Sequence, residues 1–210
     1  MTAEPGMGVW HPPEEAPPVR WDRIETSLRL PQRWPRAHQL SPRIPQEPRR
    51  AAVGVILWGD ALGARKLVLV QRGYGAPRHA GELAFPGGMA EPRDRDLPAT
   101  ARREVAEEIG VSEGLWEVGC FPDGVAKDRI RFTPVFFRWE ATRPAFRLDH
   151  ELEQILLLPL LPLLDAPWRL EHLERYGIPL AVPRLELPQA PLWGATAYVL
   201  KAWLDVLRTT

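Results

Sequence analysis

Glu104, Glu107 and Glu108 occupy positions i, i+3 and i+4 of the run Arg103-Glu104-Val105-Ala106-Glu107-Glu108-Ile109. At about 100° per residue these positions share one helix face, so three carboxylates lie side by side and repel one another unless something offsets them. Two outcomes are open. The face is solvated, as charged surface helices commonly are, or it holds a hard divalent cation such as Mg²⁺, which suits an oxygen-only ligand set. Two neighbouring features favour the cation. Ala101, Val105 and Ile109 recur every four residues, giving the helix an apolar face on which to pack while its acids look into a groove. Gly87 and Gly88 precede the helix, and glycine lets the backbone turn sharply and approach a ligand closely.

The elements that must position this cluster can be read on either side of it. Residues 82–85 form a strand-like run, followed by a Pro86-Gly87-Gly88 turn, a polar loop and the acidic helix. Upstream, residues 51–58 and 66–71 predict a hairpin around Gly59 to Gly63. Downstream, 115–121 and 131–140 read as strands about a polar turn at Asp123-Gly124, with Phe132, Phe136, Phe137 and Trp139 as core residues. Cys120 is expected to be a small core residue rather than a nucleophile. Residues 154–158 form another strand, a proline-bounded segment 160–164 follows, and a final helix carries Ala195, Val199, Ala202, Trp203, Val206 and Leu207 on a wide apolar face. Residues 1–48 are proline-rich and predict an irregular arm, with a short helix only at 21–30, laid on a domain of residues 49–210.

The stretch from Gly88 to Val111 resembles the Nudix box, G-x5-E-x7-R-E-U-x-E-E-x-G-U with U aliphatic. Gly88 fits the first glycine and residues 103–111 fit the second half; Asp94 stands where the box has Glu, and eight residues rather than seven separate it from Arg103. The lengthened loop is similar to that of the coenzyme A pyrophosphatase branch, which carries an upstream motif close to L-L-T-x-R-S-x-x-L-R-x-H-x-G-x-V-x-F-P-G-G. Arg72, His79, Gly81, Phe85, Pro86, Gly87 and Gly88 match it; Leu83 replaces Val, and Gly73, Ala76 and Pro77 replace Ser, Leu and Arg. Leu192-Trp193-Gly194-Ala195-Thr196-Ala197 looks like the I-W-G-x-T-A entry to that branch's last helix.

The resemblance implies an α/β fold, a Nudix-type α/β/α sandwich with a mixed β-sheet between helices. It also implies metal-dependent hydrolysis of a diphosphate. Glu104, Glu107 and Glu108 are then metal ligands, with the Gly88 carbonyl, for Mg²⁺ or Mn²⁺; Arg103 orients the carboxylates; Glu104 or Glu151 serves as base. Arg72, Arg78, His79, Gly87 and Gly88 become substrate-binding residues, although read alone Arg72 and Arg78 are solvated loop cations, His79 a structural histidine and Glu151 a loop acid. The expected substrate is coenzyme A or a thioester; the alternatives are ADP-ribose or another nucleoside diphosphate derivative, and a non-catalytic nucleotide-binding module. Gly73-Tyr74-Gly75 lacks the third glycine of a dinucleotide fingerprint and does not open a helix.

Composition sets the outer bounds. Of the 210 residues, 45% are hydrophobic, enough for a sizeable core, and the 27 basic and 27 acidic residues cancel. No overall field draws the chain to nucleic acid or to an anionic membrane, so an anionic small-molecule partner must be held locally. A single cysteine excludes an internal disulfide framework, and no Cys/His spacing suggests zinc. The most apolar run, 155–164, is short and broken by Pro159 and Pro162, so the expectation is a cytoplasmic protein; a homodimer is compatible with the reading.

Overall fold

The computed structural model describes residues 9–30, 49–74, 80–126, 130–175 and 178–210. The sheet grows from β1 (Arg50–Asp60), whose nearly continuous apolar run is that of a strand buried on both faces. One edge of β1 pairs in parallel with β7 (Arg131–Glu140) along its whole length. The other edge is shared: Ile56 to Asp60 pair antiparallel with β2 (Gly63–Arg72), while Ala51 to Val53 pair with β4 (Gly87–Met89). β1 and β2 therefore diverge beyond the Ile56–Val68 pair. The intervening wedge is filled by β3 (Leu83–Ala84), which pairs with β2, and by β4, and the Gly54 N–H donates to the Pro86 carbonyl at the crossing (2.8 Å).

β8 (Leu152–Pro159) extends the sheet beyond β2, and β5 (Leu115–Cys120) and the short β6 (Gly124–Val125) pair with β7. One parallel and several antiparallel pairings make the sheet mixed, as expected.

Alternation along the central strands sends side chains into two cores. Ile56, Val68, Val70, Val135 and Phe137 pack with Ala101, Val105 and Ile109 of α2 (Leu97–Ile109). Val55, Leu57, Leu67, Leu69 and Phe136 pack on the opposite face with α3 (Leu160–Leu163) and α4 (Gly194–Arg208). The result is the α/β/α sandwich.

The second core also takes in α1 (Trp21–Arg29): Ile24 and Trp203 are fully buried, and the Trp203 Nε1–H donates to Ser27 Oγ (2.9 Å). Trp21 donates through Nε1 to the Asp60 carbonyl (2.8 Å), and Val19 bridges Ala64, so this helix is fixed to the first hairpin as well.

Three local expectations are revised, and one element is added. Gly87 and Gly88, read as a turn, are strand residues, because ladder pairing uses only their backbone. Gly124, read as turn, begins β6. Cys120 is exposed rather than in the core. A bulge between Glu117 and Gly119 switches the facing of β5, so that Leu115 joins the α2-side core, Phe121 the other, and Cys120 is turned out. The region after α3, to which no element was assigned from sequence, forms a separate hairpin of β9 (Arg169–Arg175) and β10 (Ile178–Arg184). Among the described residues no helix is long and apolar enough to cross a membrane.

Trp203→Ala should lower the unfolding free energy by about 3–5 kcal/mol through the cavity left beside Phe136 and through loss of the Ser27 bond. Urea unfolding checks this; a loss within about 1 kcal/mol would place the residue outside the cooperative core.

Candidate active site

α2 begins where Asp96 caps it, its carboxylate accepting from the Ala99 N–H (2.7 Å), and ends at Gly110 in the left-handed conformation (φ 73°). Its apolar stripe faces the sheet, which turns Arg103, Glu104, Glu107 and Glu108 toward the β3–β4 wedge.

There Arg103 gathers Glu104 and Glu107, while Glu108 turns to the Gly87 N–H. The guanidinium donates twice to Asp94, from Nε to Oδ1 (3.0 Å) and from Nη2 to Oδ2 (3.1 Å). Its Nη1 donates to Glu104 Oε1 and to Glu107 Oε2, each at 2.8 Å, and Nη2 also reaches the Met89 carbonyl (2.9 Å). Asp94 itself accepts from the Thr100 hydroxyl (2.9 Å) and the Glu91 N–H (2.9 Å), and the Arg103 guanidinium beside it holds its carboxyl far below the usual range. Arg103 is correspondingly raised, chiefly by Asp94 and against the opposing effect of burial. One side chain thus ties the box loop, the strand end and two helix acids together.

The carboxylates differ in depth. Glu107 is half exposed and is held by Arg93 (3.1 Å) as well as by Arg103. Glu104 is only 15% exposed, and desolvation raises its pKa despite the neighbouring guanidinium. Glu108 lies deepest: Oε2 accepts from the Gly87 N–H (3.0 Å), and burial, assisted by Glu104, pushes its pKa up to about 7. Gly88 fits against Glu104 so closely that a Cβ on it would lie 2.5 Å from Oε1. Any larger residue there would push the Glu104 carboxylate out of its place.

Glu151 enters from the other side. The loop ahead of β8 caps the end of α2, with Arg147 N–H on the Ile109 carbonyl (3.0 Å) and Asp149 N–H on that of Glu108 (2.9 Å). Asp149 then accepts from the Glu151 N–H (2.9 Å), and Glu151 Oε2 meets Arg72 Nη2 at 2.7 Å. Arg72 and Glu151, expected separately as binder and base, are therefore paired with each other, and Arg72 contributes a stabilising field at Glu108. Arg78 and His79 lie outside the described residues.

Among the described residues, no three acidic, histidine or cysteine side chains converge on a single point, because Glu104 and Glu107 turn to Arg103 and Glu108 to Gly87. The donor chemistry nevertheless fits a hard divalent cation. Two desolvated carboxylates with raised pKa values, a third beside them and the adjacent Gly88 backbone offer oxygens only, and their mutual repulsion is what a cation would relieve. Asp94 as the anchor of Arg103 and Arg93 as a second holder of Glu107 were not assigned from sequence. An acid two residues before an N-cap can fold back on the first helical turn, and that was the available signal.

This chain belongs to the NUDIX domain family, whose model matches residues 48–179. It is 31% identical over 163 residues to Nudix hydrolase 22, chloroplastic, of Arabidopsis thaliana, a match that covers 73% of this chain and spans about half (53%) of that relative. It is 29% identical over 137 residues to the uncharacterized Nudix hydrolase NudL of Yersinia pestis (strain Pestoides F), covering 64% of this chain and 69% of that one. The crystal structure of a MutT protein from Methanosarcina mazei Go1 aligns with a TM-score of 0.49 at 18% identity, over 78% of this chain and 96% of that one. Nudix hydrolases generally use divalent metal ions, in keeping with the donor set.

The Glu108 pKa, raised from 4.5 to about 7, fixes the sign of a pH effect. A group whose folded pKa lies above its unfolded value contributes stability that is fully present below pH 4.5 and is lost as pH rises through 7. Without divalent cations, Glu108→Gln should therefore be more stable than the parent at about pH 8, by on the order of 1–3 kcal/mol, and show no such gain at about pH 4.5. Equal stability differences at the two pH values in urea unfolding would contradict the desolvation of Glu108.

Proposed function

We propose that this chain is a divalent-metal-dependent pyrophosphohydrolase that cleaves the diphosphate of coenzyme A or its thioesters, releasing 4′-phosphopantetheine (or its acyl form) and adenosine 3′,5′-bisphosphate. The observation that carries the reaction type is the pair of desolvated carboxylates, Glu104 and Glu108, held between the Arg103 clasp and the Gly87-Gly88 backbone of a NUDIX domain. Such a pair is costly for the free protein, and a site that carries a cost before substrate arrives is poised for a cation or a proton.

A divalent ion bound by Glu104, Glu107 and Glu108 supplies neutralisation of the diphosphate oxygens and a more acidic attacking water. The residues do the rest. Arg103 keeps Glu104 and Glu107 from splaying, and the Gly87 N–H fixes the Glu108 carboxylate. A carboxylate, Glu104 or Glu151, takes the water's proton as the new P–O bond forms and the bond to the bridging oxygen breaks, the leaving phosphate carrying off the electron pair. For Glu151 to act, Arg72 must release it, and an incoming phosphate is the competitor that would draw Arg72 away.

The substrate assignment rests on the lengthened box loop, the motif around Arg72 and Gly81, and the Trp193 segment. ADP-ribose or another nucleoside diphosphate derivative is the second reading, favoured by one observation: Pro77 stands where the coenzyme A motif has an arginine. A product-resolved assay of coenzyme A, ADP-ribose, NADH and dinucleoside polyphosphates with Mg²⁺ or Mn²⁺ decides between them. Turnover of none by folded protein would favour a binding module instead.

Glu108→Gln should fold normally and lose turnover by on the order of 10²-fold or more. Activity within about threefold of the parent would sink the metal-site reading. If Arg72 reads the 3′-phosphate, coenzyme A should exceed dephospho-coenzyme A in kcat/KM by about 10- to 100-fold, and Arg72→Ala should erase most of that preference. Equal handling of the two compounds by the parent would move ADP-ribose ahead.

A further inference from the structure

Tyr74 belongs to neither apolar core and is 72% exposed, yet its ring is seated against backbone. The seat is Gly81. A Cβ built there would lie 2.9 Å from Tyr74 Cε1, 3.4 Å from Cδ1 and 3.5 Å from Cζ, so the ring rests directly over the glycine. Gly81 is pinned on both sides: its N–H donates to the Arg72 carbonyl (3.0 Å), its carbonyl accepts from Gln71 Nε2 (3.1 Å), and its φ of 73° is one that other residues rarely adopt. Gln71 is buried and is itself bonded to Gln154 across the sheet. The tyrosine is therefore an aromatic surface with a rigid backing and an open side.

Its place in the chain gives that surface a use. Arg72, two residues earlier, ends β2, meets Glu151 and acts electrostatically on Glu108; the Gly73 N–H donates to the Glu151 carbonyl (2.7 Å), fixing the chain between the arginine and the tyrosine. Tyr74 lies in the turn that leaves β2, and two residues of chain span at most about 7 Å, the scale of one ribose. A cation followed at that interval by an aromatic face matches a nucleotide, whose phosphate is read by charge and whose base is read by stacking. Tyrosine suits the task because ordering it costs little rotamer freedom.

We propose that Tyr74, seated on Gly81 at the rim of the acidic cluster, is the stacking platform for the heterocyclic base of the substrate nucleotide. The proposal rests on the nucleoside diphosphate reading above and adds the residue that selects the base end of the substrate.

The test is calorimetric titration of ADP, without divalent cation, into the full chain and its Tyr74→Ala, Tyr74→Leu and Tyr74→Trp variants, with ribose 5-phosphate as the ligand lacking a base. Tyr74→Leu still covers Gly81 but has no π face, so it separates stacking from packing should Tyr74→Ala fold poorly. Both should weaken ADP binding roughly 10- to 100-fold, Tyr74→Trp should bind at least as tightly as the parent, and ribose 5-phosphate should be bound alike by all. In steady-state assays KM should rise by the same factor with kcat changed by less than about threefold. ADP affinity equal in Tyr74→Leu and the parent, no ADP binding by the parent, or an equal loss for ribose 5-phosphate would each overturn the proposal. A parent that hydrolyses nothing while its ADP affinity still follows the ring at position 74 would defeat the hydrolase reading and support the platform.

Discussion

The site depends on a single guanidinium. Arg103 is 13% exposed and donates to Asp94, Glu104, Glu107 and the Met89 carbonyl at once. Five rigidly disposed N–H groups are what such a role needs, and lysine, a point charge on a flexible stem, could not span the same acceptors. Without that charge, Glu104 would be a desolvated anion facing two more carboxylates. With it, the free protein can keep the acids close, although not without cost, since Glu104 and Glu108 both remain raised.

The clasp works only because the sheet delivers its acceptors. β1 and β2 splay beyond Ile56–Val68, and the wedge between them is filled by a chain that changes partner from β2 to β1. That crossing places Gly87, Gly88 and Met89 under α2, where an N–H meets Glu108, a bare Cα admits Glu104 and a carbonyl meets Arg103. The lengthened loop then folds Asp94 back on the first turn of α2. The opposite wall comes from the chain entering β8, which caps the last carbonyls of α2 and so carries Glu151 to Arg72.

Much of this was legible in the sequence because it rests on periodicity. The four-residue repeat of Ala101, Val105 and Ile109 and the unbroken apolar runs of β1 and β2 fix layers and faces. What was not legible depends on backbone or on depth. Gly87 and Gly88 have no side-chain pattern with which to announce a strand. The bulge that exposes Cys120 is a register event invisible in residue types. β9 is largely charged, with Leu170 and Leu173 both exposed, and Pro179 and Pro183 argue against a strand except in a ribbon with open edges such as this one. Glu107 and Glu108 are adjacent and identical in type, yet one is half exposed on two arginines and the other is buried on a glycine N–H.

The central claim is that the clasped acids form a divalent-cation site, and the most direct measurement is a calorimetric titration of Mn²⁺ into the parent and Glu108→Gln at neutral pH. The account predicts saturable binding to the parent, with proton release as Glu108 ionises, and an affinity reduced by about tenfold or more in the variant. Mn²⁺ binding of equal affinity to both proteins, or none to the parent, would contradict it.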